Sequence, residues 1–262
     1  MKLILKFLII AITVSGLQSC ALIGAAGLTS QGQPTKKVDG DLMSTTANSQ
    51  VNVDHSEWDA LLKKHVNKAG FVDYKGFKND RAALDRYLNT LQSYKPNSNW
   101  SVQELLAYYI NTYNAYTVDL ILRNYPTNSI QDINGAFTNA FIPIDGSMLS
   151  LGSLENGVLR KMNEPRIHFA INCASYSCPK LLDEAYTAGK INEQLDLVTN
   201  EFINSDKNEI SENAPKLSKI FSFYTKDFEP NLAEYINKYS DTMINPNAEI
   251  TFKEYNWDLN EQ

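Results

Sequence analysis

The stretch SVQELLAYYINTYNAYTVDLILR, Ser101 to Arg123, predicts the element around which the fold is organised. It opens with Ser-Val-Gln-Glu, which has the spacing of a capping box, so a helix should begin here. From Leu105 to Leu122 the residues are apolar almost all round, whereas a surface helix carries a single apolar stripe. Pro126 prevents the helix from continuing. We therefore predict a central, buried helix near residues 102–123.

Two asparagines interrupt the apolar surface of this helix. Asn111 and Asn114 are three residues apart, so they share a face with the small side chains of Ala107 and Ala115. Because an unpaired amide is costly to bury, both side chains need polar partners. These partners could be the backbone of a neighbouring loop or a ligand in a site, and the sequence leaves both readings open.

A second informative stretch is RIHFAINCASYSCP, Arg166 to Pro179. It contains five candidate site residues: His168, Asn172, Cys173, Ser175 and Cys178. Alternating apolar residues predict a strand from Ile167 to Asn172, followed by a turn. Pro179 suits the first position of a helix, which would make Cys178 the N-cap of that helix.

The remaining pattern predicts a helix-rich single α+β domain with a small sheet. Apolar periodicity and stop signals predict further helices that begin near Ser56, Asp80, Leu151 and Ile191. The third of these contains Glu155, and Asp145-Gly146 predicts a hairpin. His55 and His65 lie among polar or lysine-containing residues, so we expect them to face solvent.

The N-terminus predicts an exported, lipid-anchored protein. Residues 1–19 read as a signal peptide, with lysines before an apolar run too short to span a bilayer. Leu17-Gln-Ser-Cys20 resembles a bacterial lipobox, so Cys20 is the predicted lipidation site. Residues 20–50 are rich in small and polar residues and predict a flexible tether. The globular domain is predicted to cover residues 51–262.

Charge and sorting signals restrict the partners of this chain. The formal net charge is −6, and no basic run is present, so nucleic acid is not a predicted partner. No aspartate follows Cys20, which by resemblance to bacterial sorting rules favours the outer membrane, facing the periplasm. The lipid on Cys20 is the predicted membrane contact, and we predict no cofactor.

Four segments of the chain together resemble the family known as domain of unknown function 547. They are LAYYINTYNAYTV at 106–118, residues 149–160, RIHFAINCASYSCP at 166–179, and YNWDLN at 255–260. No established activity comes with this family. The resemblance implies a recurring polar set at the following positions: Asn111, Asn114, Glu155, His168, Cys173 and Cys178.

The leading hypothesis for this set is structural. With Cys20 lipidated, Cys173 and Cys178 are the two cysteines that remain, and in an oxidising compartment they would form a disulfide. That bond would staple the turn of a binding or structural module. The predicted binding residues are Asn111, Asn114, Glu155, Asn172 and Ser175.

The alternative is a cysteine-dependent hydrolase or acyl transferase. Cys173 or Cys178 would be the nucleophile and His168 the base. The orienting residue would come from Asn111, Asn114 or Glu155. Along a strand the five-residue step from His168 to Cys173 covers about 16 Å, so the two can meet only if the chain turns sharply. A zinc site is a third reading, but the spacing matches no standard zinc pattern, and we predict no metal.

Overall fold

A computed structural model describes residues 29–262 of the chain. The predicted signal peptide and the predicted lipidation site Cys20 lie outside the described residues. The α-helices of the described chain, α1 to α8, are Ser56–His65, Tyr74–Asn79, Arg81–Ser93, Val102–Asn124, Ile167–Ala170, Ile191–Ile203, Lys219–Phe223 and Leu232–Asn237. The strands, β1 to β4, are Ile142–Ile144, Ser147–Leu149, Lys216–Leu217 and Thr251–Phe252. Three short 3-10 helices cover Ile130–Asp132, Leu159–Met162 and Thr225–Phe228, and a π-helix covers Ser153–Val158.

The predicted central helix is confirmed as α4, and almost all of its side chains are buried. The Ser101 hydroxyl caps the helix by accepting a hydrogen bond from the Glu104 N–H at 3.1 Å. In a full capping box the Glu104 carboxylate would accept a bond from the backbone N–H of Ser101. Here it accepts one from the backbone N–H of Val53 at 2.8 Å instead. Helices α2, α3 and α6 and the π-helix pack around α4, which explains its apolar surface on every side.

The predicted fold class, a helix-rich α+β domain, is also confirmed. Strands β1 and β2 form an antiparallel hairpin, and β3 and β4 form a separate parallel pair. The hairpin turns at Asp145 and Gly146, both with positive φ, as a type I′ turn requires. Among residues 29–262, no helix combines the length and apolar character needed to cross a bilayer.

The strand predicted from Ile167 to Asn172 is wrong, because this segment forms the single helical turn α5. The Ile171 N–H donates to the Ile167 carbonyl at 3.0 Å, which is a helical bond. Apolar residues at positions 167, 169 and 171 suggested alternation, but all four residues of α5 are buried. A segment buried on every side has no periodicity by which strand and helix can be told apart.

The helix predicted to begin at Pro179 is also absent from the described chain, since residues 179–189 contain no helix. Cys178 is therefore not a helix N-cap; its N–H donates to the Ser175 carbonyl at 3.1 Å in a turn. Proline at a first helical position is equally compatible with a loop, because proline fixes only its own φ. The next helix along the chain is α6.

The predicted helix from Leu151 to Met162 is confirmed in its extent but not in its type. Its centre is the π-helix, and its end is a 3-10 helix. In a π-helix each hydrogen bond spans five residues, so one extra residue is accommodated per turn. Glu155 lies within this widened turn and is buried.

The segment predicted as a flexible tether differs from that prediction in its second half. Val38 and Leu42 are buried, and the Val38 N–H donates to the Met162 carbonyl at 2.7 Å. The Tyr109 hydroxyl on α4 donates to the Pro34 carbonyl at 3.2 Å. The chain therefore packs against the domain well before residue 51. Small and polar residues suggested a tether, but two buried apolar side chains and several hydrogen bonds connect this segment to the domain.

His55 and His65 are buried, so the expectation that they face solvent is wrong. His55 Nδ1 contacts the Tyr87 hydroxyl at 2.7 Å, and His65 Nε2 contacts Asp80 at 2.7 Å. Burial of His55 lowers its pKa to about 4, because the protein interior disfavours the charged imidazolium.

We expect acid to destabilise the protein through His55. Between pH ~6.5 and pH ~4 the unfolded chain binds a proton at this histidine that the folded chain does not bind. The free energy of unfolding should therefore fall by up to about 3 kcal/mol as the pH is lowered through this window. Urea unfolding of wild type and His55→Asn across that window measures the effect. Equal pH dependence in the two proteins would contradict the assignment.

Candidate functional site

A cavity of about 250 Å³ lies beside Cys173. Its walls come from α4, the π-helix, the loop after α5, helix α7 and the C-terminal tail. Four predicted site residues line it: Glu155, His168, Cys173 and Cys178. Asn172 and Ser175 line a neighbouring cavity of about 260 Å³, which shares Cys178 with the first.

Asn114 on the central helix holds the loop that carries both cysteines. Its Nδ2 donates to the Ala170 carbonyl at 3.0 Å, and its Oδ1 accepts from the Asn172 N–H at 2.8 Å. Of the two readings left open by the sequence, the one in which these amides bind the backbone of a neighbouring loop therefore holds for Asn114. Asn111 makes the same pair of bonds with the backbone of Tyr186, at 2.8 and 3.1 Å. It supports a different loop and does not line the cavity.

Asn172 closes the cysteine loop on itself. Its Nδ2 donates to the Pro179 carbonyl at 2.7 Å, and its Oδ1 accepts from the Ala174 N–H at 2.9 Å. Ala174 has a φ of 61°, in the left-handed region, so the chain reverses sharply just after Cys173. This reversal brings Cys173 and Cys178 together.

The two cysteines form a close pair of free thiols. Their Sγ atoms are 2.7 Å apart, and the Cys173 N–H donates to Cys178 Sγ at 3.0 Å. Cys173 is partly exposed, whereas Cys178 is buried. Cys173 Sγ also contacts the hydroxyls of Ser175 at 3.2 Å and Tyr255 at 3.4 Å. The predicted staple therefore requires oxidation of a pair whose sulphur atoms already lie close together.

The surroundings separate the acidities of the two thiols. The hydrogen bond from Cys178 lowers the pKa of Cys173 to about 7, against the opposing effect of burial and with the help of Ser175 and Tyr255. Burial, together with the neighbouring Cys173, raises the pKa of Cys178 well above its ordinary value. The pair therefore loses its first proton from Cys173, and Cys178 stays a thiol that donates to the thiolate.

His168 belongs to a second cluster in the cavity wall. Its Nε2 contacts Asp227 Oδ2 at 2.7 Å, and its ring stacks on Tyr224 with centroids 4.0 Å apart. Burial acts to raise the pKa of Asp227, but hydrogen bonds from His168 and Arg160 outweigh it and hold that pKa well below its usual range. Asp227 is therefore an acceptor, and Nε2 of His168 donates to it.

The contact between His168 and a cysteine that the hydrolase alternative needs is not formed. His168 Nδ1 is buried and has no hydrogen-bond partner among residues 29–262. The Cys173 thiol instead contacts Cys178, Ser175 and Tyr255. The described residues also contain no group of three or more His, Cys, Asp or Glu side chains placed to hold a metal ion.

Glu155 is a buried carboxylate whose hydrogen bonds come from tyrosines. The hydroxyl of Tyr113 on α4 donates to Oε2 at 3.3 Å, and the hydroxyl of Tyr224 donates to Oε1. Burial, followed by the charge of Glu155, raises the pKa of both tyrosines well above the usual value, so both remain donors. The predicted orienting role toward His168 is replaced by contact with the tyrosine stacked on that histidine.

The C-terminal tail supplies site residues that reasoning from the sequence did not identify. Tyr255 contacts Cys173 and Ser175, and Trp257 lines the cavity. The tail is fixed by backbone bonds to the cysteine loop, from Tyr176 N–H to the Asp258 carbonyl at 2.7 Å and from Asn260 N–H to the Ala174 carbonyl at 3.1 Å. Aromatic clustering near the end of the chain was the available signal, but only the fold shows what it contacts.

Comparison with known proteins supports the family resemblance over the centre of the chain. Searches for similar curated proteins and for similar solved structures gave no match. A family model described as "Protein of unknown function, DUF547" matches residues 97–203. This segment includes α4, the π-helix, His168 and both cysteines of the pair. Residues 97–203 are thus similar to the DUF547 family.

Proposed function

We propose that this protein is a bacterial cell-envelope lipoprotein whose domain binds a small ligand beside Cys173 and exchanges disulfide bonds with it. The observation that supports this proposal most directly is that the two thiols differ in exposure and in pKa. Cys173 is partly exposed and has a lowered pKa, whereas Cys178 is buried and has a raised pKa. An accessible thiolate beside a buried thiol is the arrangement that thiol–disulfide exchange requires.

The first step consumes one disulfide bond of the ligand. The Cys173 thiolate attacks one ligand sulphur, the ligand S–S bond breaks, and one half leaves as a thiolate that takes a proton from water. The product is a mixed disulfide between Cys173 and the other half. Formation of this bond removes the negative charge of Cys173, which is one of the causes that raise the pKa of Cys178.

The second step forms the bond between the two cysteines. Cys178 then gives its proton to water and attacks Cys173 Sγ, and the remaining half of the ligand leaves as a second thiol. The pair ends oxidised and the ligand ends reduced by two electrons. The reverse reaction with a dithiol returns the pair to its reduced state. The predicted Cys173–Cys178 staple is the oxidised state of this cycle.

Mass spectrometry of three proteins tests the proposal. The full chain carrying Cys20→Ser contains only Cys173 and Cys178, so every reacting sulphur is assigned. With a small symmetrical disulfide, this protein should lose two hydrogens and retain no ligand. Adding Cys178→Ser should leave one half of the ligand attached to Cys173. Adding Cys173→Ser should abolish the reaction.

Whether Cys178 releases the ligand from Cys173 distinguishes disulfide exchange from a purely structural disulfide. If ligand stays on Cys173 even when Cys178 is present, Cys178 does not resolve the mixed disulfide and the proposal fails. Equal labelling of the two single-cysteine proteins would also refute it, because a buried thiol with a raised pKa should react more slowly.

A second candidate, a cysteine-dependent hydrolase or acyl transferase, is favoured by one observation. His168, which contacts Asp227, lines the same cavity as Cys173, and its Nδ1 has no partner among the described residues. In this candidate a ligand between the two would connect His168 to the reaction at Cys173. Turnover of a thioester that is lost in His168→Gln, while disulfide exchange persists, would favour it over exchange.

The proposed lipid anchor at Cys20 can be tested separately. If Cys20 carries the lipid, Cys20→Ser should abolish labelling by a radioactive fatty acid and move the protein from the outer-membrane fraction to the soluble periplasmic fraction. Ser19→Ala, which leaves Cys20 in place, is the matched control and should retain the label. Membrane attachment that survives loss of Cys20 would argue against a lipid anchor at this residue.

A further inference from the structure

We propose that the cavity beside Cys173 selects a cationic ligand, with an ammonium group held between Glu155 and a wall of aromatic rings. Resting on the proposed disulfide exchange, this defines the substrate class as a small disulfide that carries an amine. The Glu155 end of the cavity would bind the charge, and Cys173 would react with the sulphur.

The charges around the cavity favour a cation. Glu155 lines it, whereas no lysine or arginine does so among residues 29–262. Arg160, whose guanidinium lies 5.2 Å from the centre of the Tyr224 ring, is bound at its Nε and Nη2 by Asp227, at 2.5 and 2.7 Å. Its charge is therefore already paired. The Cys173 thiolate adds a second negative charge to the same space.

Glu155 itself has unused capacity to bind a ligand. Glu155 is buried, with a relative exposure of 6%, and it makes no direct ion pair among the described residues, although Arg160 lies close enough for the two charges to interact. The hydroxyls of Tyr113 and Tyr224 give each carboxylate oxygen one hydrogen bond. An ionised carboxylate offers about four acceptor positions, so about two remain. A buried carboxylate without a directly bound cation is costly, and an ammonium ligand would offset part of that cost.

The lining of the cavity also includes a connected set of aromatic rings. Phe223 lies 5.6 Å from Tyr255, Tyr255 lies 4.5 Å from Trp257, and Trp257 lies 6.4 Å from Phe137, measured between ring centres. All four line the cavity. The negative faces of such rings attract ammonium groups, most strongly at tryptophan and where the cation is desolvated. The tail therefore contributes recognition as well as a hydrogen bond to Cys173.

The neighbouring cavity provides an internal contrast. Lys180 and Lys207 line it, and the Lys207 ammonium lies 3.7 Å from the centre of the Tyr176 ring. Cys178 borders both cavities, whereas Cys173 borders only the aromatic one. The charges of the neighbouring cavity are balanced, because Asp206 and Glu201, which pairs with Lys180, line it as well. A ligand bound there would meet Cys178 first. Because Cys173 is the reactive thiol, the cavity lined by Glu155 and the aromatic rings should determine which ligands react.

Three disulfides that differ mainly in charge test the inference. Cystamine carries two ammonium groups, bis(2-hydroxyethyl) disulfide is neutral, and dithiodiglycolate carries two carboxylates. Their rates with the full chain carrying Cys20→Ser are divided by their rates with the same protein unfolded in urea, which removes intrinsic differences in reactivity. We expect cystamine to be favoured over dithiodiglycolate by about tenfold or more, the size of one cation–π or charge contact.

Two variants test whether Glu155 and the aromatic rings cause the preference for cystamine. Glu155→Gln, which keeps the shape and removes the charge, should reduce the preference for cystamine several-fold. If that variant fails to fold, Trp257→Leu on the half-buried tail provides the second test and should also reduce it. A preference that is unchanged in both variants, or that favours dithiodiglycolate, overturns the inference.

A binding measurement separates this inference from the proposed function. The chain carrying Cys20→Ser and Cys173→Ser lacks the reactive thiol, and n-butylammonium, which has no disulfide bond, is titrated against its tryptophan fluorescence, with n-butyrate as the matched anion. Saturable binding of the amine alone supports the cationic site even if no disulfide reacts with wild type. Disulfide exchange without any amine binding supports the proposed function and rejects the site.

Discussion

Cys178→Ala is expected to raise the pH midpoint of Cys173 alkylation by at least about one unit. The hydrogen bond from Cys178 is the largest cause of the lowered pKa, and alanine removes that donor. The Cys173 thiol should then approach the ordinary pKa of about 8.5. Iodoacetamide reacts only with the thiolate, so its rate plotted against pH reports the midpoint. The measurement uses the full chain carrying Cys20→Ser.

Three further variants rank the donors around Cys173. Cys178→Ser keeps a hydroxyl donor in place and should move the midpoint less than Cys178→Ala does. Ser175→Ala should move it less than Cys178→Ala, and Tyr255→Phe least, following the order of their effects on the pKa. A midpoint that stays near 7 in Cys178→Ala would mean that the thiolate is stabilised from elsewhere, and the division of roles between the two thiols would fail.

The central helix could be predicted because its signal is local. A capping serine, a long apolar run and a terminating proline all lie within one stretch, and the burial of α4 follows from apolar residues on every side. The need of Asn111 and Asn114 for partners could also be predicted, because a buried amide must be bonded wherever it lies. Which backbone each one binds could not, since Tyr186 and Asn172 are distant in the chain.

Helical detail near the site was not predictable for a different reason. Helix α5 is one buried turn, and its sequence fits a strand and a helix equally well. The π-helix around Glu155 differs from an α-helix by one residue per turn, and no residue type specifies that difference. Both elements are fixed by packing against α4 and by their neighbours, which is information that a local pattern does not contain.

Which residues form the site could also be predicted only in part from local sequence patterns. The sequence predicts that Cys173 and Cys178 matter, because they are paired closely in one loop. It does not predict that Tyr255 contacts Cys173 or that Asp227 binds His168, since these residues join the site through long-range bonds. The hydrolase hypothesis paired His168 with a cysteine because the two are close in sequence. In the fold, the helical turn α5 directs His168 to Asp227 instead.

The cysteine loop, the tail and the central helix together form one hydrogen-bonded unit. Asn114 binds the loop at Asn172, Asn172 accepts a bond from Asn260 of the tail at 3.2 Å, and the Asn260 side chain also accepts from the Tyr74 hydroxyl at 2.6 Å. A change at Asn114 should therefore reach Cys173 through the backbone, even though Asn114 does not line the cavity.

Asn114→Ala is expected to lower the free energy of unfolding by about 2–6 kcal/mol, because it leaves the buried Ala170 carbonyl and Asn172 N–H unpaired at ~1–3 kcal/mol each. Asn111→Ala is the matched control, since it frees the same two groups on Tyr186 and should cost a similar amount. Only Asn114→Ala should also shift the pH midpoint of Cys173 alkylation, because only that loop carries the thiol pair. Denaturant unfolding and the alkylation profile measure the two effects separately. An equal shift in both variants, or none in either, would show that Asn114 contributes stability without positioning Cys173.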